Sequence, residues 1–183
     1  MLKLFEQFNF IPILIPNNLS NIPLFLEENS IEGIILSGGD NIGDDKERDH
    51  TEKELIKFGI ERELPIFGVC RGMQVLNNFF KGKIKVSVDD SHIGNDHEVI
   101  ISNDKISDFL KQDKIVVNSY HRNIINLEDI GESLISFAIN QKDNTVEGFL
   151  HKKLPIMGVM WHPERDMDKN TELINNFLLR KIP

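Results

Sequence analysis

The segment that most constrains the fold of this chain is PIFGVCRGMQ, residues 65–74, in which an apolar run leads directly into a helix-forming stretch. The only cysteine, Cys70, lies at the junction between Gly68 and Gly72. Glycines two residues to either side let the backbone turn sharply and lift a side chain clear of a sheet. The segment therefore predicts a strand, a tight turn and a helix, with the thiol at the start of the helix.

This position bears on the reactivity of Cys70. The dipole and free N–H groups of a helix N-terminus favour the thiolate, which is the form that attacks carbonyl groups. A free cysteine is more often buried and inert. Here the flanking glycines favour a nucleophile instead, because they allow the sharp turn that presents the thiol. A single cysteine cannot form an internal disulfide, and no signal peptide or apolar run of about 18 residues is present. We therefore expect a cytoplasmic protein with no membrane partner.

The order of the apolar segments predicts one α/β domain over residues 1–183. Strands that alternate with helices favour a three-layer, mainly parallel central sheet, and the strand-rich second half favours an antiparallel extension. We expect helices at residues 1–8, 19–28, 51–62, 71–80 and 170–181. We expect strands at residues 10–15, 34–36, 64–69, 84–88, 98–101, 115–118, 134–140, 145–150 and 155–160.

A thiol nucleophile needs a base, and His162 is the best-placed histidine. It follows the strand predicted over residues 155–160, and open α/β sheets carry their sites at the carboxyl ends of strands. Glu164, two residues on, can accept from one ring nitrogen and leave the other free to take the thiol proton. Cys70, His162 and Glu164 are therefore predicted to form a catalytic triad.

Composition and spacing exclude several other functions. The net charge of −8 argues against nucleic acid as a partner, because binding phosphates needs a cationic surface. We find no phosphate loop and no clustered metal-ligand spacing, so we expect no metal and no cofactor. The remaining histidines are expected to be surface or strand residues rather than ligands. They are His50, His92, His97 and His151.

Three motifs carry a family resemblance. The sequences LSGGD at residues 36–40, FGVCRGMQ at 67–74 and WHPE at 161–164 resemble the class I glutamine amidotransferase superfamily. Arg71 and VNSYH at residues 117–121 resemble its stand-alone γ-glutamyl hydrolase branch. The resemblance implies a flavodoxin-like sheet, in which relatives begin with a strand before the first helix. By this comparison the first strand is missing from the sequence.

The resemblance also implies roles for individual residues. The N–H groups of Gly39 and Arg71 would form the oxyanion hole. The α-amino and α-carboxylate groups of a glutamyl substrate would be held by Gln74 and by the segment Asn118, Ser119, Tyr120 and His121. Arg48 would contact an anionic leaving group. Three alternatives remain open: Gln74 as an ordinary solvated or capping glutamine, His121 in a structural role, and Arg48 as a surface charge.

The resemblance implies a hydrolase that cleaves a γ-glutamyl amide through a cysteine thioester and releases glutamate and an amine-type product. The branch includes polyamine-catabolic enzymes and capsule-pathway hydrolases that act on γ-glutamyl-CDP-amidate. The Asn-, Lys- and Ile-rich composition fits an AT-rich bacterial genome. Two alternatives stay open: a glutaminase subunit that supplies ammonia to a separate synthase partner, and a non-catalytic binding module. A homodimer is also left open.

Overall fold

The computed structural model describes residues 8–165 and 169–181, without the side chains of residues 169–171. The helices are α1 (Ile22–Glu28), α2 (Lys46–Glu61), α3 (Arg71–Phe79), α4 (Asp104–Leu110) and α5 (Lys169–Leu178). The strands are β1 (Ile34–Leu36), β2 (Ile66–Val69), β3 (Lys85–Val86), β4 (His97–Ile101), β5 (Lys114–Val117), β6 (Asn123–Ile124), β7 (Leu134–Asn140), β8 (Val146–His151) and β9 (Ile156–Val159).

Seven strands form one sheet in the order β1-β2-β9-β8-β7-β4-β5, and β3 pairs with β6 in a separate ribbon. β1, β2 and β9 run parallel, whereas every neighbouring pair from β9 to β5 is antiparallel. The predicted α/β class with an antiparallel extension is confirmed. The extension contains four of the six strand pairs of the sheet, and the parallel part contains two. The parallel strands β2 and β9 are buried along their whole lengths, as expected for strands covered by helices on both faces.

The core lies in two layers because successive side chains of a strand point to opposite faces of the sheet. Ile66 packs on one face with α1, α2 and α3. Phe67, its neighbour in β2, packs on the other face with α4 and α5. The sheet is thus the middle of three layers, and β2 places Cys70 at its carboxyl end.

Some predicted elements differ from the observed ones. The strand predicted over residues 10–15 is wrong, because this stretch pairs with no strand and leaves Ile11 89% and Leu14 75% exposed. Within residues 8–165 and 169–181, no strand pairs with the outer edge of β1. The helix predicted over residues 1–8 lies, apart from Phe8, outside the described residues.

Helix α4 was not predicted, although a local signal exists for it. The Asn103 side chain accepts a hydrogen bond from the N–H of Ile106 at 3.1 Å and so caps the helix start. Ile106 and Leu110, four residues apart, are both buried. In the part of the chain that the structure describes, no helix combines the length and hydropathy needed to cross a membrane.

Candidate active site

The turn between β2 and α3 holds Cys70 in a backbone conformation that residues other than glycine rarely adopt. Its φ is 49° and its ψ is −105°. The N–H of Cys70 donates to the carbonyl of Val159 in β9 at 2.8 Å, and its own carbonyl accepts from the N–H of Gln74 at 3.1 Å. The thiol-bearing residue is 6% exposed. The surrounding hydrogen bonds therefore hold a strained nucleophile elbow at the end of a buried strand.

The glycines around Cys70 are required by close backbone contacts. A Cβ on Gly72 would lie 2.0 Å from the carbonyl oxygen of Leu36 in β1. A Cβ on Gly68 would lie 2.7 Å from the backbone of Gly72. No neighbouring backbone can yield by that much, so glycine at both positions lets α3 start directly against the parallel strands.

His162 follows β9 and is aligned by side chains on both sides of it. Its Nδ1 hydrogen-bonds to Glu164 Oε1 at 2.8 Å, and the Cys70 side chain is near enough to the imidazole to raise its pKa. Asn118 fixes the main chain of His162, since its Oδ1 accepts from the His162 N–H at 2.8 Å and its Nδ2 donates to the carbonyl at 2.9 Å. The structure thus brings the three residues of the predicted triad together.

The electrostatics of this arrangement favour a charged imidazole. Burial lowers the pKa of His162, but its hydrogen bonds to Cys70 and Glu164 outweigh that effect and raise the pKa to about 9. Burial likewise raises the pKa of Glu164, yet the hydrogen bond from His162 holds it below its ordinary value. At neutral pH, His162 therefore carries a proton between the sulfur of Cys70 and the carboxylate of Glu164.

The glycine turn after β1 lies against His162. A Cβ on Gly38 would be 2.8 Å from His162 Cε1, and a Cβ on Gly39, whose φ is +154°, would be 2.1 Å from Arg48 Nη1. Arg48 Nη2 donates to the carbonyls of Ser37 at 2.9 Å and Gly38 at 3.0 Å. Arg48 therefore supports the turn from behind, and its predicted contact with a leaving group remains a prediction.

One carboxylate joins this turn to the elbow. Glu52 in α2 accepts from Arg48 Nε through Oε1 at 2.9 Å and from Arg71 Nη1 through Oε2. Arg71 also forms an ion pair with Asp49, and its side chain is only 2% exposed. The side chain of Arg71 is thus structural, while its N–H lies at the start of α3 beside Cys70, where the oxyanion role was predicted.

Gln74 is buried one helical turn beyond Cys70. Its Nε2 contacts Met160 Sδ at 3.6 Å, and its Oε1 accepts from Asn123 Nδ2 at 3.1 Å. The same Asn123 amide donates to Asn41 Oδ1 at 2.9 Å. These amides connect the elbow helix to the loop after the glycine turn, and the substrate contact of Gln74 remains a prediction.

The four residues of the predicted substrate segment face different directions. Asn118 holds His162, and Ser119 Oγ donates to the carbonyl of His92 at 2.7 Å in the interior. Tyr120 is 48% exposed, and its ring centroid lies 6.1 Å from that of His162. His121 is 5% exposed and its Nδ1 hydrogen-bonds to the carbonyl of Asn123 at 2.9 Å. Tyr120 is therefore the member of this segment that flanks the His162 ring.

Sequence reasoning missed several residues around the site. His92 was expected at the surface or in a strand, yet it is 1% exposed in a loop, and His97, which does lie in β4, is also buried. Both lie close to Glu147, a residue that the sequence analysis did not name as a candidate. Arg165 was also missed, and its guanidinium carbon lies 4.0 Å from the centre of the Tyr120 ring. Arg165 directly follows WHPE in the sequence, and this position next to the motif is the signal that could have found it.

A family model for class-I glutamine amidotransferases matches residues 4–181. The chain belongs to this family. A γ-glutamyl-CDP-amidate hydrolase of Campylobacter jejuni is 35% identical over 165 residues, which cover 84% of this chain and 75% of that protein. One subunit of the glutamine-hydrolyzing GMP synthase of Methanopyrus kandleri is 28% identical over 148 residues, covering 79% of this chain and 73% of that relative.

A solved structure shares the fold of this class-I amidotransferase. The CTPS glutaminase domain of Trypanosoma brucei superposes with a TM-score of 0.76 over 98% of this chain and 86% of that domain, at 18% identity. The predicted superfamily and fold are thereby confirmed.

Proposed function

We propose that this protein is a γ-glutamyl amide hydrolase in which Cys70, His162 and Glu164 act as nucleophile, acid–base and orienting carboxylate. The observation that carries the proposal is the meeting of Cys70, at the strained turn, with an imidazole that Glu164 orients through a hydrogen bond of 2.8 Å. An inert core cysteine would need neither the turn nor the imidazole with its raised pKa. These features argue against a non-catalytic binding module.

The first half-reaction forms a thioester. The sulfur of Cys70 attacks the γ-carbonyl carbon of a glutamyl group, and its proton resides on His162 Nε2, since Nδ1 is bonded to Glu164. The N–H groups of Gly39 and Arg71 stabilise the oxyanion of the tetrahedral intermediate. When the C–N bond breaks, the imidazolium protonates the departing amine.

The second half-reaction restores the enzyme. Neutral His162 removes a proton from water, and the resulting oxygen nucleophile attacks the thioester carbon. The C–S bond breaks, the sulfur regains its proton through His162, and glutamate leaves. Glu164 stabilises the imidazolium each time it forms.

An anionic, nucleotide-like amine is the leaving group that we favour. The Campylobacter jejuni relative is named for γ-glutamyl-CDP-amidate, and Arg165 is exposed beside Tyr120 at the rim of the site. A guanidinium at this position is suited to a phosphate-bearing group. On this proposal the protein is a cytoplasmic bacterial enzyme of capsule biosynthesis.

A glutaminase subunit is the second candidate, because the chain is also similar to the GMP synthase subunit of Methanopyrus kandleri. Such a protein would hydrolyse glutamine poorly until a synthase partner was added. A hydrolase would release glutamate without any partner protein and would prefer a larger γ-glutamyl amide to glutamine.

The test is glutamate release by the purified chain from glutamine, γ-glutamyl-γ-aminobutyrate and γ-glutamyl-CDP-amidate. Cys70→Ala and His162→Ala should abolish release, whereas His50→Ala, at an exposed position of α2, should not change it. Equal release by Cys70→Ala, or no release from any substrate, would refute the hydrolase. Release from glutamine only after addition of a synthase would favour the second candidate.

A further inference from the structure

A second group of ionisable side chains lies buried in the antiparallel half of the domain. Three imidazoles surround one carboxylate: His92 is 1% exposed, His97 and His121 are each 5% exposed, and Glu147 in β8 is 1% exposed. We propose that His92, His121 and Glu147 form a binding site for a transition-metal ion of the Zn²⁺ class, with His97 beside them as a fourth group.

In His92 and His121, the hydrogen bond on the side of the ring away from Glu147 determines which ring nitrogen carries a proton. His92 Nε2 lies 2.7 Å from Asp143 Oδ2, and His121 Nδ1 lies 2.9 Å from the carbonyl of Asn123. Both partners are acceptors, so both of these nitrogens must donate. In neutral imidazoles, His92 Nδ1 and His121 Nε2 then present lone pairs.

Those lone pairs point towards a group that is itself an acceptor. His92 Nδ1 lies 3.7 Å from Glu147 Oε1, and His121 Nε2 lies 3.8 Å from Glu147 Oε2. Neither nitrogen, nor Glu147 Oε2, has a hydrogen-bond partner. Two imidazole lone pairs and a buried carboxylate repel one another unless a cation lies among them.

The separations are too long for hydrogen bonds but suit the ligands of one ion. A tetrahedral zinc ion with bonds of about 2.1 Å holds its ligand atoms about 3.4 Å apart. The separations of 3.7 Å to Oε1 and 3.8 Å to Oε2 of Glu147 lie close to this value, and one ligand atom from each of the three residues lies within 4.8 Å of the others. Small side-chain movements would therefore complete the coordination.

The surroundings also fit a metal site. His97 Nε2 lies 3.5 Å from Glu147 Oε2, beside the three residues whose ligand atoms lie within 4.8 Å of one another. Asp143 behind His92 and the Asn123 carbonyl behind His121 are the kinds of outer partner that orient metal-binding histidines. Two imidazoles and a carboxylate, without a thiolate, favour Zn²⁺ or Co²⁺ over Mg²⁺ or Ca²⁺.

Such an ion would stabilise the wall of the active site. The carbonyl of His92 accepts from Ser119 Oγ at 2.7 Å and from the N–H of His121 at 3.0 Å, and Ile93 forms a β-bridge with Tyr120. An ion that joins His92 to His121 would therefore hold Tyr120 beside the base. This role is structural and does not depend on the proposed substrate.

The experiment is a Co²⁺ titration of the full chain after removal of metals with a chelator. It uses a Cys70→Ser background, so that the active-site thiol cannot bind the ion. We expect one equivalent of Co²⁺ to give the visible d–d bands of a tetrahedral site with no thiolate charge-transfer band, and Zn²⁺ to displace it. If the folded protein bound no stoichiometric Co²⁺, the proposal would be overturned, and protonation of the histidines would be what balances the charge of Glu147.

Three variants in that background locate the site. Glu147→Gln should abolish stoichiometric Co²⁺ binding, and Asp143→Asn should weaken it by about 10–100-fold because it loses the outer carboxylate. The Asp143 side chain is 37% exposed, so this variant keeps the assay decisive if Glu147→Gln does not fold. His50→Gln, which removes an exposed histidine, should bind as the parent does. Equal binding by Asp143→Asn and the parent would contradict the assignment.

Discussion

Replacing Glu164 with glutamine tests the electrostatic role of the carboxylate in the proposed triad. The glutamine carbonyl can still accept from His162 Nδ1, so the imidazole keeps its orientation while the negative charge beside it is lost. The two hydrogen-bond partners of His162, Cys70 and Glu164, raise its pKa to about 9 against the opposing effect of burial. The variant should therefore lower the pKa of His162.

The size of the effect follows from the pKa of His162. The rise from 6.5 to about 9 corresponds to about 3.4 kcal/mol of preference for the protonated imidazole. If Glu164 supplies half of it, its removal lowers the pKa by about 1.2 pH units. At pH 8 the protonated fraction of His162 would then fall from about 90% to about 40%.

The assay is the pH dependence of kcat/KM for glutamate release, with ¹⁵N NMR of the imidazole as a direct check. In the proposed mechanism the protonated His162 is the acid that expels the amine, so activity should be lost as the pH rises through the pKa of His162. The alkaline limb should lie near pH 9 in the wild type and about one pH unit lower in Glu164→Gln. The control Glu132→Gln, at a carboxylate that is 69% exposed, should leave the limb unchanged. An identical limb in Glu164→Gln and the wild type would refute the reasoning.

Two further substitutions test the geometry around Cys70. Gly72→Ala should lower the free energy of unfolding by about 3 kcal/mol, because its Cβ would meet the Leu36 carbonyl at 2.0 Å. In urea unfolding, the control Gly33→Ala, with neighbours no nearer than 3.4 Å, should change little, and equal effects would argue against the contact. Asn118→Ala removes both side-chain hydrogen bonds to the His162 main chain and should lower kcat by up to about 100-fold in a folded protein. A kcat equal to that of the wild type would show that other contacts suffice to place the base.

The elbow could be predicted because its determinants are local. An apolar strand, glycines two residues on either side of Cys70 and a helix-forming sequence are all found within ten residues, and the strained turn follows from them. The association of His162 with Glu164 is also local, since the two residues are two positions apart. That His162 reaches Cys70 depends on β2 and β9 being parallel neighbours. The sequence predicted a strand before His162 but not the pairing of that strand with β2.

The errors arose where distant segments decide the structure. The apolar residues 10–15 have strand-like composition, but a strand exists only if another strand is available to pair with it. The spacing of residues in the sequence did not reveal the cluster of His92, His121 and Glu147. Its members come from the loop before β4, the connection between β5 and β6, and β8. Sheet register and side-chain direction bring them together, and the sequence pattern determines neither.

Glu52 links two parts of the site that lie far apart in the chain. One oxygen of its carboxylate holds Arg48, which supports the turn containing Gly39, and the other holds Arg71 at the elbow. A single buried side chain on α2 thus fixes the spacing between the two proposed oxyanion donors. The exposed side chains of the loop between Gly39 and α2 can therefore change without altering the width of the proposed oxyanion hole.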